Sequence, residues 1–144
     1  MKLIDSNILL YLVNRDAPEH AAIRNWWQEA LAEEVSIGLS WLGVLSFLRI
    51  ATHPRVFDHP LSVNDALQQM DEWLSLPNVR IVKEDVQHSA IMSELLAAVG
   101  VGGNLVSDAH LAALAISRSA VLYSCDNDFA RFPKLHWINP LLPQ

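Results

Sequence analysis

A single cysteine, Cys125, stands in a chain of 144 residues, so no intramolecular disulfide can staple the fold, and a reducing compartment is expected. Long apolar runs are missing too. The longest, Ile8 to Val13, falls far short of the ~20 residues that span a bilayer, and Asp5 interrupts any signal-peptide reading, so a cytoplasmic protein is expected. Positive charge is scarce: 10 Lys and Arg face 16 Asp and Glu, for a net charge of −6. That argues against a general nucleic-acid coating protein, which needs a basic surface. It leaves room for a nucleic-acid enzyme whose bound cations supply positive charge locally. The six histidines show no HExxH or other zinc spacing and read as structural or surface groups, with His110, two residues past Asp108, the one to follow. Cys125 has no partnered base implied beside it and reads as a buried strand thiol.

What the chain does have is apolar content, at 51%, which suits one globular domain over residues 1–144 with a substantial core. Five Trp in so short a chain suggest some apolar surface reserved for a partner. Strand and helix signals alternate. A strand from Lys2 ends at Asp5, and Ser6 and Asn7 can cap a helix through Val13. Asp16, Pro18 and Glu19 predict a helix running to about Glu34 with Trp26, Trp27, Ala30 and Leu31 on its apolar face. Val35 to Leu39 reads as a strand. Ser40 caps a helix from Trp41 to Ala51 with Leu42, Leu45, Phe47 and Leu48 mostly inward, stopped by His53 and Pro54. Ser62 opens a helix that stops before Pro77, Val79 to Val82 is a strand, and Asp85 caps a helix ending at Gly100. A helix starting at Ser107 or Asp108, a strand from Ala120 to Cys125 and an edge strand from Leu135 to Ile138 complete the pattern. Such alternation predicts a mainly parallel sheet covered on both faces.

The acids sit at the seams of that pattern. Asp5 and Asp126 fall at strand carboxyl ends and Asp108 at a helix N-terminus, and in open α/β sheets ligands collect beyond the carboxyl ends of strands. An isolated Asp at such a place ordinarily caps a helix or opens a turn. Several converging are different, because like charges raise one another's pKa and a divalent cation relieves the conflict. Magnesium and manganese prefer oxygen ligands, which Asp5, Asp108, Asp126 and Asp128 offer. Ser6, Asn7, Asn104, Ser107 and Ser124 are candidates to orient them. Arg49, Arg55, Arg118, Arg131 and Lys134 are candidates to grip phosphates.

Three segments, Leu-Ile-Asp-Ser-Asn at 3–7, Gly-Asn-Leu-Val-Ser-Asp-Ala-His-Leu-Ala-Ala-Leu-Ala at 103–115 and Ser-Cys-Asp-Asn-Asp-Phe-Ala-Arg-Phe at 124–132, together resemble the PIN domain. More closely they are similar to VapC-type toxins of bacterial toxin-antitoxin pairs, as are Thr-His-Pro-Arg-Val-Phe at 52–57 and the closing Trp-Ile-Asn-Pro-Leu. The resemblance implies an α/β three-layer sandwich with a parallel central sheet of about five strands. It also implies a magnesium- or manganese-dependent endoribonuclease acting on structured RNA such as tRNA or rRNA, silenced by a VapB-like antitoxin and usually homodimeric. By position Asp5, Asp108 and Asp126 match the family's metal-binding acids, with Asp128 a fourth. One departure stands out: Ser46 occupies the place of a customary Glu on the third helix. Because a hydroxyl cannot replace a charged ligand, an inactive PIN-like binding module is the competing expectation, and an aspartyl-phosphate receiver domain ranks behind it.

Overall fold

The computed structural model describes Met1–Gln144. Strands β1 (Lys2–Ile4), β2 (Ile37–Leu39), β3 (Val79–Ile81), β4 (Val121–Tyr123) and β5 (Trp137–Ile138) form one sheet in the order β3-β2-β1-β4-β5. Every neighbouring pair is parallel, so each strand must be followed by a connection that carries the chain back to the starting edge. Helices α1 (Ser6–Val13), α2 (His20–Ala32), α3 (Trp41–Ala51), α4 (Val63–Ser75), α5 (His88–Val99) and α6 (Leu105–Ser117) make those returns, except between β4 and β5, where a short 3-10 helix, Asn127–Arg131, does so. This is the expected α/β sandwich. No helix is long and apolar enough to cross a membrane.

Alternation of side chains along the strands divides the interior into two cores. Ile4, Ile37, Leu39 and Tyr123 pack on one face against Ile8, Trp27, Phe47 and Trp73 of α1 to α4. Leu3 and Leu122 pack on the other against Leu95 of α5 and the alanine-rich α6. Gly38 lies between its two apolar neighbours in β2 on this second side. A Cβ there would stand 2.5 Å from Val82 Cγ2, so only hydrogen leaves Val82 its place.

Helix starts depart most from expectation. Asp5 itself caps α1 through Ser6 N, and Ser6 and Asn7 form its first turn. Helix α2 begins at His20, because the Asp16 carboxylate pairs with His59 at 2.8 Å and leaves no cap at that point. Asp85 accepts from Gln87 N in a turn, and α5 starts only at His88. Helix α6 starts at Leu105, ahead of Ser107, because the Gly102–Gly103 turn, with Gly103 at φ +63, feeds straight into it. Ser40 and Ser62 cap α3 and α4 as expected. Leu45 is 59% exposed, and the inward positions of α3 are Gly43, Val44, Phe47 and Ala51.

Candidate metal centre

Parallel order brings β1 and β4 side by side, and their carboxyl ends deliver Asp5 and the Ser124–Asp128 segment to one edge. Asp5 N donates to the Tyr123 carbonyl at 3.0 Å, which locks the two ends together. Both Asp5 oxygens are occupied. Oδ1 accepts from Ser6 N at 2.7 Å and Ser6 Oγ at 3.4 Å, and Oδ2 accepts from Ser124 Oγ at 2.7 Å and Asn7 Nδ2 at 3.0 Å. Ser124 is fully buried and its hydroxyl is used completely: it donates to Asp5 and accepts from Asn7 Nδ2 and Asp126 N, each at 3.0 Å. Asn7 Oδ1 takes Cys125 N at 3.2 Å, and Trp137 Nε1 donates to the Ser124 carbonyl at 3.0 Å. The strand-end loop is thus held from α1 and from β5.

Across from it, the first turn of α6 carries Asp108. One oxygen each of Asp108, Asp126 and Asp128 lie within 4.8 Å of one another. Asp126 caps the 3-10 helix by accepting from Asp128 N at 2.9 Å, which turns both carboxylates toward Asp108. Crowding is written into the acidities. Burial, then the charges of Asp126, Asp5 and Asp128, push the Asp108 carboxyl up to about 6. Burial raises Asp5 too, against the lowering effect of its Ser124 and Ser6 hydrogen bonds. Burial pushes the Cys125 thiol up to about 12, so it is no thiolate ligand or nucleophile at neutral pH.

Asp5, Ser6, Ser46, Arg49, Ser107 and Asp108 line a common cleft of about 240 Å³. Gly43 of α3 lies against the end of β1 and the start of α1: a Cβ there would be at ordinary contact distance from the Ile4 carbonyl and Ser6 N, 3.8 and 3.9 Å, and would crowd only Ser40 Oγ, at 3.2 Å. Ser46 and, one turn on, Arg49 share that cleft with Asp5 and Asp108, so this edge of α3 faces the acids.

Other expected residues stand apart. Asn104 is exposed at the start of α6, with no capping bond and no hydrogen bond to an acid. Arg131 is exposed at the end of the 3-10 helix, and Lys134 is paired to Glu94 at 2.7 Å. Arg118 donates to the Lys83 carbonyl. His110 turns from the acids toward His88 Nε2 at 2.9 Å and Glu84 at 3.4 Å. The Trp137 bond to Ser124 was invisible in the sequence, since nothing local marks an indole that reaches 13 residues back.

An all-parallel sheet with acids gathered over its carboxyl edge puts a candidate cation site where open α/β sheets collect their ligands. Residues 2–135 match the PIN domain, and the chain belongs to that family. It is 40% identical over 140 residues to Ribonuclease VapC37 of Mycobacterium tuberculosis, covering 97% of each chain. It is also 40% identical over 141 residues to Ribonuclease VapC33 from the same species, covering 98% of this chain and 99% of the relative. Among solved structures, VapBC2 from Rickettsia felis bound to a promoter DNA fragment matches with a TM-score of 0.71 at 22% identity, over 96% of this chain and 97% of that one.

Proposed function

We propose that this chain is the toxin of a toxin-antitoxin pair, a metal-dependent endoribonuclease whose acidic centre is Asp5, Asp108, Asp126 and Asp128. The observation that carries the reading is the convergence of the Asp108, Asp126 and Asp128 oxygens within 4.8 Å, in a chain 40% identical to named ribonucleases. Carboxylates with no imidazole or thiolate among them fit a hard cation, magnesium first and manganese second. Asp5 keeps some capacity as a ligand, because Ser6 Oγ at 3.4 Å is only a weak donor to Oδ1. A divalent cation bound there supplies Lewis-acid activation of water and neutralises charge developing on the phosphoryl oxygens.

The rest is done by the chain's own side chains. Asn7 and Ser124 hold Asp5 in one rotamer and the Asp126 loop in register, so the acids are positioned before any ligand arrives. We assign Arg49, on the cleft wall, to a phosphate next to the scissile bond, and Arg131, exposed at the end of the 3-10 helix, to one farther along. Structured RNA such as tRNA or rRNA is the substrate class we assign. A VapB-like antitoxin is the partner, supported by kinship with VapC proteins. Trp41 and Leu45 of α3 and Val63 of α4 are 49%, 59% and 64% exposed, and this apolar patch supports a further protein contact, which we assign to a homodimer.

The test is purified protein with structured RNA and magnesium, the new RNA ends being sequenced. Cleavage at defined positions is expected, abolished by EDTA and reduced by orders of magnitude in Asp108→Asn. The Asp108 carboxylate makes no hydrogen bond in the fold, so that variant removes a charge and little else. Undiminished cleavage in Asp108→Asn would overturn the assignment of the centre.

A further inference from the structure

The loop that carries Asp126 and Asp128 leaves β4 at Ser124, a residue with no exposed surface, so its carbonyl needs a donor from within the protein. Along the parallel ladder with β5, Leu122 N donates to the His136 carbonyl at 2.8 Å and Ser124 N to the Ile138 carbonyl at 3.1 Å. The following rung calls for the N–H of residue 140 at the Ser124 carbonyl. Residue 140 is Pro and has none. The Trp137 indole takes that place, donating from Nε1 at 3.0 Å, and no other donor reaches the oxygen. Trp137 packs against the core of Leu3 and Leu122 and does not line the cleft that holds Asp5 and Asp108.

We infer that Trp137 is a positioning residue of the ribonuclease centre, its indole N–H fixing the Ser124–Cys125 peptide and, through it, the carboxylates of Asp126 and Asp128. That peptide is gripped at both ends, since its N–H, on Cys125, donates to Asn7 Oδ1 at 3.2 Å while its carbonyl takes the indole. Neither grip can slip alone. A rotated peptide would draw Asp126 N from Ser124 Oγ, now at 3.0 Å, and carry with it the carboxylate that accepts from Asp128 N at 2.9 Å. Asn139, 8% exposed, adds a looser hold between the two acids: its Nδ2 lies 3.4 Å from Asn127 Oδ1, and its own Oδ1 is fixed by Leu141 N at 3.0 Å. Because Trp137 stands outside the cleft, its bond should bear on metal binding and turnover and not on RNA affinity.

The inference rests on the reading of Asp108, Asp126 and Asp128 as a metal centre, and the experiment separates the two. The parent is compared with Trp137→Phe and with a protein carrying 3-benzothienylalanine in place of Trp137, which keeps the shape of the indole and lacks only its N–H. The second decides the matter even where Trp137→Phe fails to fold. Amide hydrogen exchange in EDTA should speed up about tenfold or more at Ser124, Cys125 and Asp126, while Ile23 and Trp27 of α2 exchange as in the parent. Titration calorimetry with manganese should give a Kd raised about tenfold or more, and cleavage of structured RNA at manganese near the parent's Kd a lowered kcat at unchanged KM. Parent-like exchange at those three amides, parent-like manganese affinity without the N–H, or a defect confined to KM would each overturn the positioning role. A parent that binds no manganese sinks the metal reading, while the exchange rates in EDTA still judge the hold on the loop.

Discussion

Asp5 and Asp108 are both acids of the cleft, yet the same substitution should affect them oppositely. Asp5→Asn would turn an amide NH2 toward Asn7 Nδ2 and Ser124 Oγ, donors that now serve Oδ2, and so should lower the melting temperature as well as activity. Asp108→Asn breaks no hydrogen bond and relieves repulsion. The folded-state carboxyl, near 6, lies above the unfolded value of 3.8, so protonation favours the fold and the penalty of ionising Asp108 is complete only above about pH 6. Metal-free Asp108→Asn should therefore melt higher than the parent at pH 7.5, with the gain fading as pH falls through 6 toward 4; calorimetry across that range, with no gain at pH 7.5, would refute the crowding. Ser46 is the second residue to test. Since it shares the cleft with Asp5 and Asp108, Ser46→Glu should raise magnesium affinity about tenfold or more, ~1.4 kcal/mol, and lower metal-free stability, with Ser46→Ala as control in titration calorimetry. Equal affinity would mean that this position is not the family's glutamate. The four acids were legible because acids at strand ends and helix starts stand out in a line of apolar residues. The order among them was not: Asp128 joins Asp108 and Asp126 in the tight oxygen set, and Asp5 sits beside it with both oxygens engaged, which depends on hydrogen bonds spanning 119 residues.

Elements were easier to find than to delimit. Strands showed as short apolar runs and all five are present, because burial on both faces of a parallel sheet demands such runs. Helix ends were harder, since Asp16 and Asp85 have the chemistry of caps but are used in an ion pair and a turn. The inward face of α3 was misjudged at Leu45 because the helix presents a groove to α4 there, and periodicity alone does not say which neighbour a face has. Packing of β2 gives a prediction at this scale. Gly38→Ala places a methyl 2.5 Å from Val82 Cγ2, a β-branched side chain 6% exposed, and should destabilise the fold by about 1–3 kcal/mol. Val82→Ala alone loses buried methyls, yet combined with Gly38→Ala it should cost less than the sum of the two, a coupling that denaturant unfolding of the four proteins can read. Strict additivity would show that the sheet gives way at Gly38 instead.

Across the whole molecule, the proposed metal centre depends on the fold bringing Asp108, Asp126 and Asp128 together beside Asp5 at one sheet edge, so an unfolded chain has nothing comparable to offer a cation. Binding and folding are then linked, and magnesium or manganese should stabilise the fold by about 2.7 kcal/mol at a hundredfold excess over Kd and raise the melting temperature accordingly. Protons compete for the same site. At pH 7.5 Asp108 is ionised in the folded protein, against burial and the charges of its acidic neighbours, and a divalent cation relieves that conflict. Below about pH 6 Asp108 is protonated, the repulsion is already reduced, and a ligand oxygen is lost, so the metal-dependent shift should shrink there even as the metal-free protein becomes more stable. Thermal melts at pH 7.5 and 5.0, in EDTA and in graded magnesium, manganese and calcium, test both trends together. A metal shift as large at pH 5.0 as at 7.5, or one that survives intact in Asp108→Asn, would place the cation elsewhere on this acidic chain.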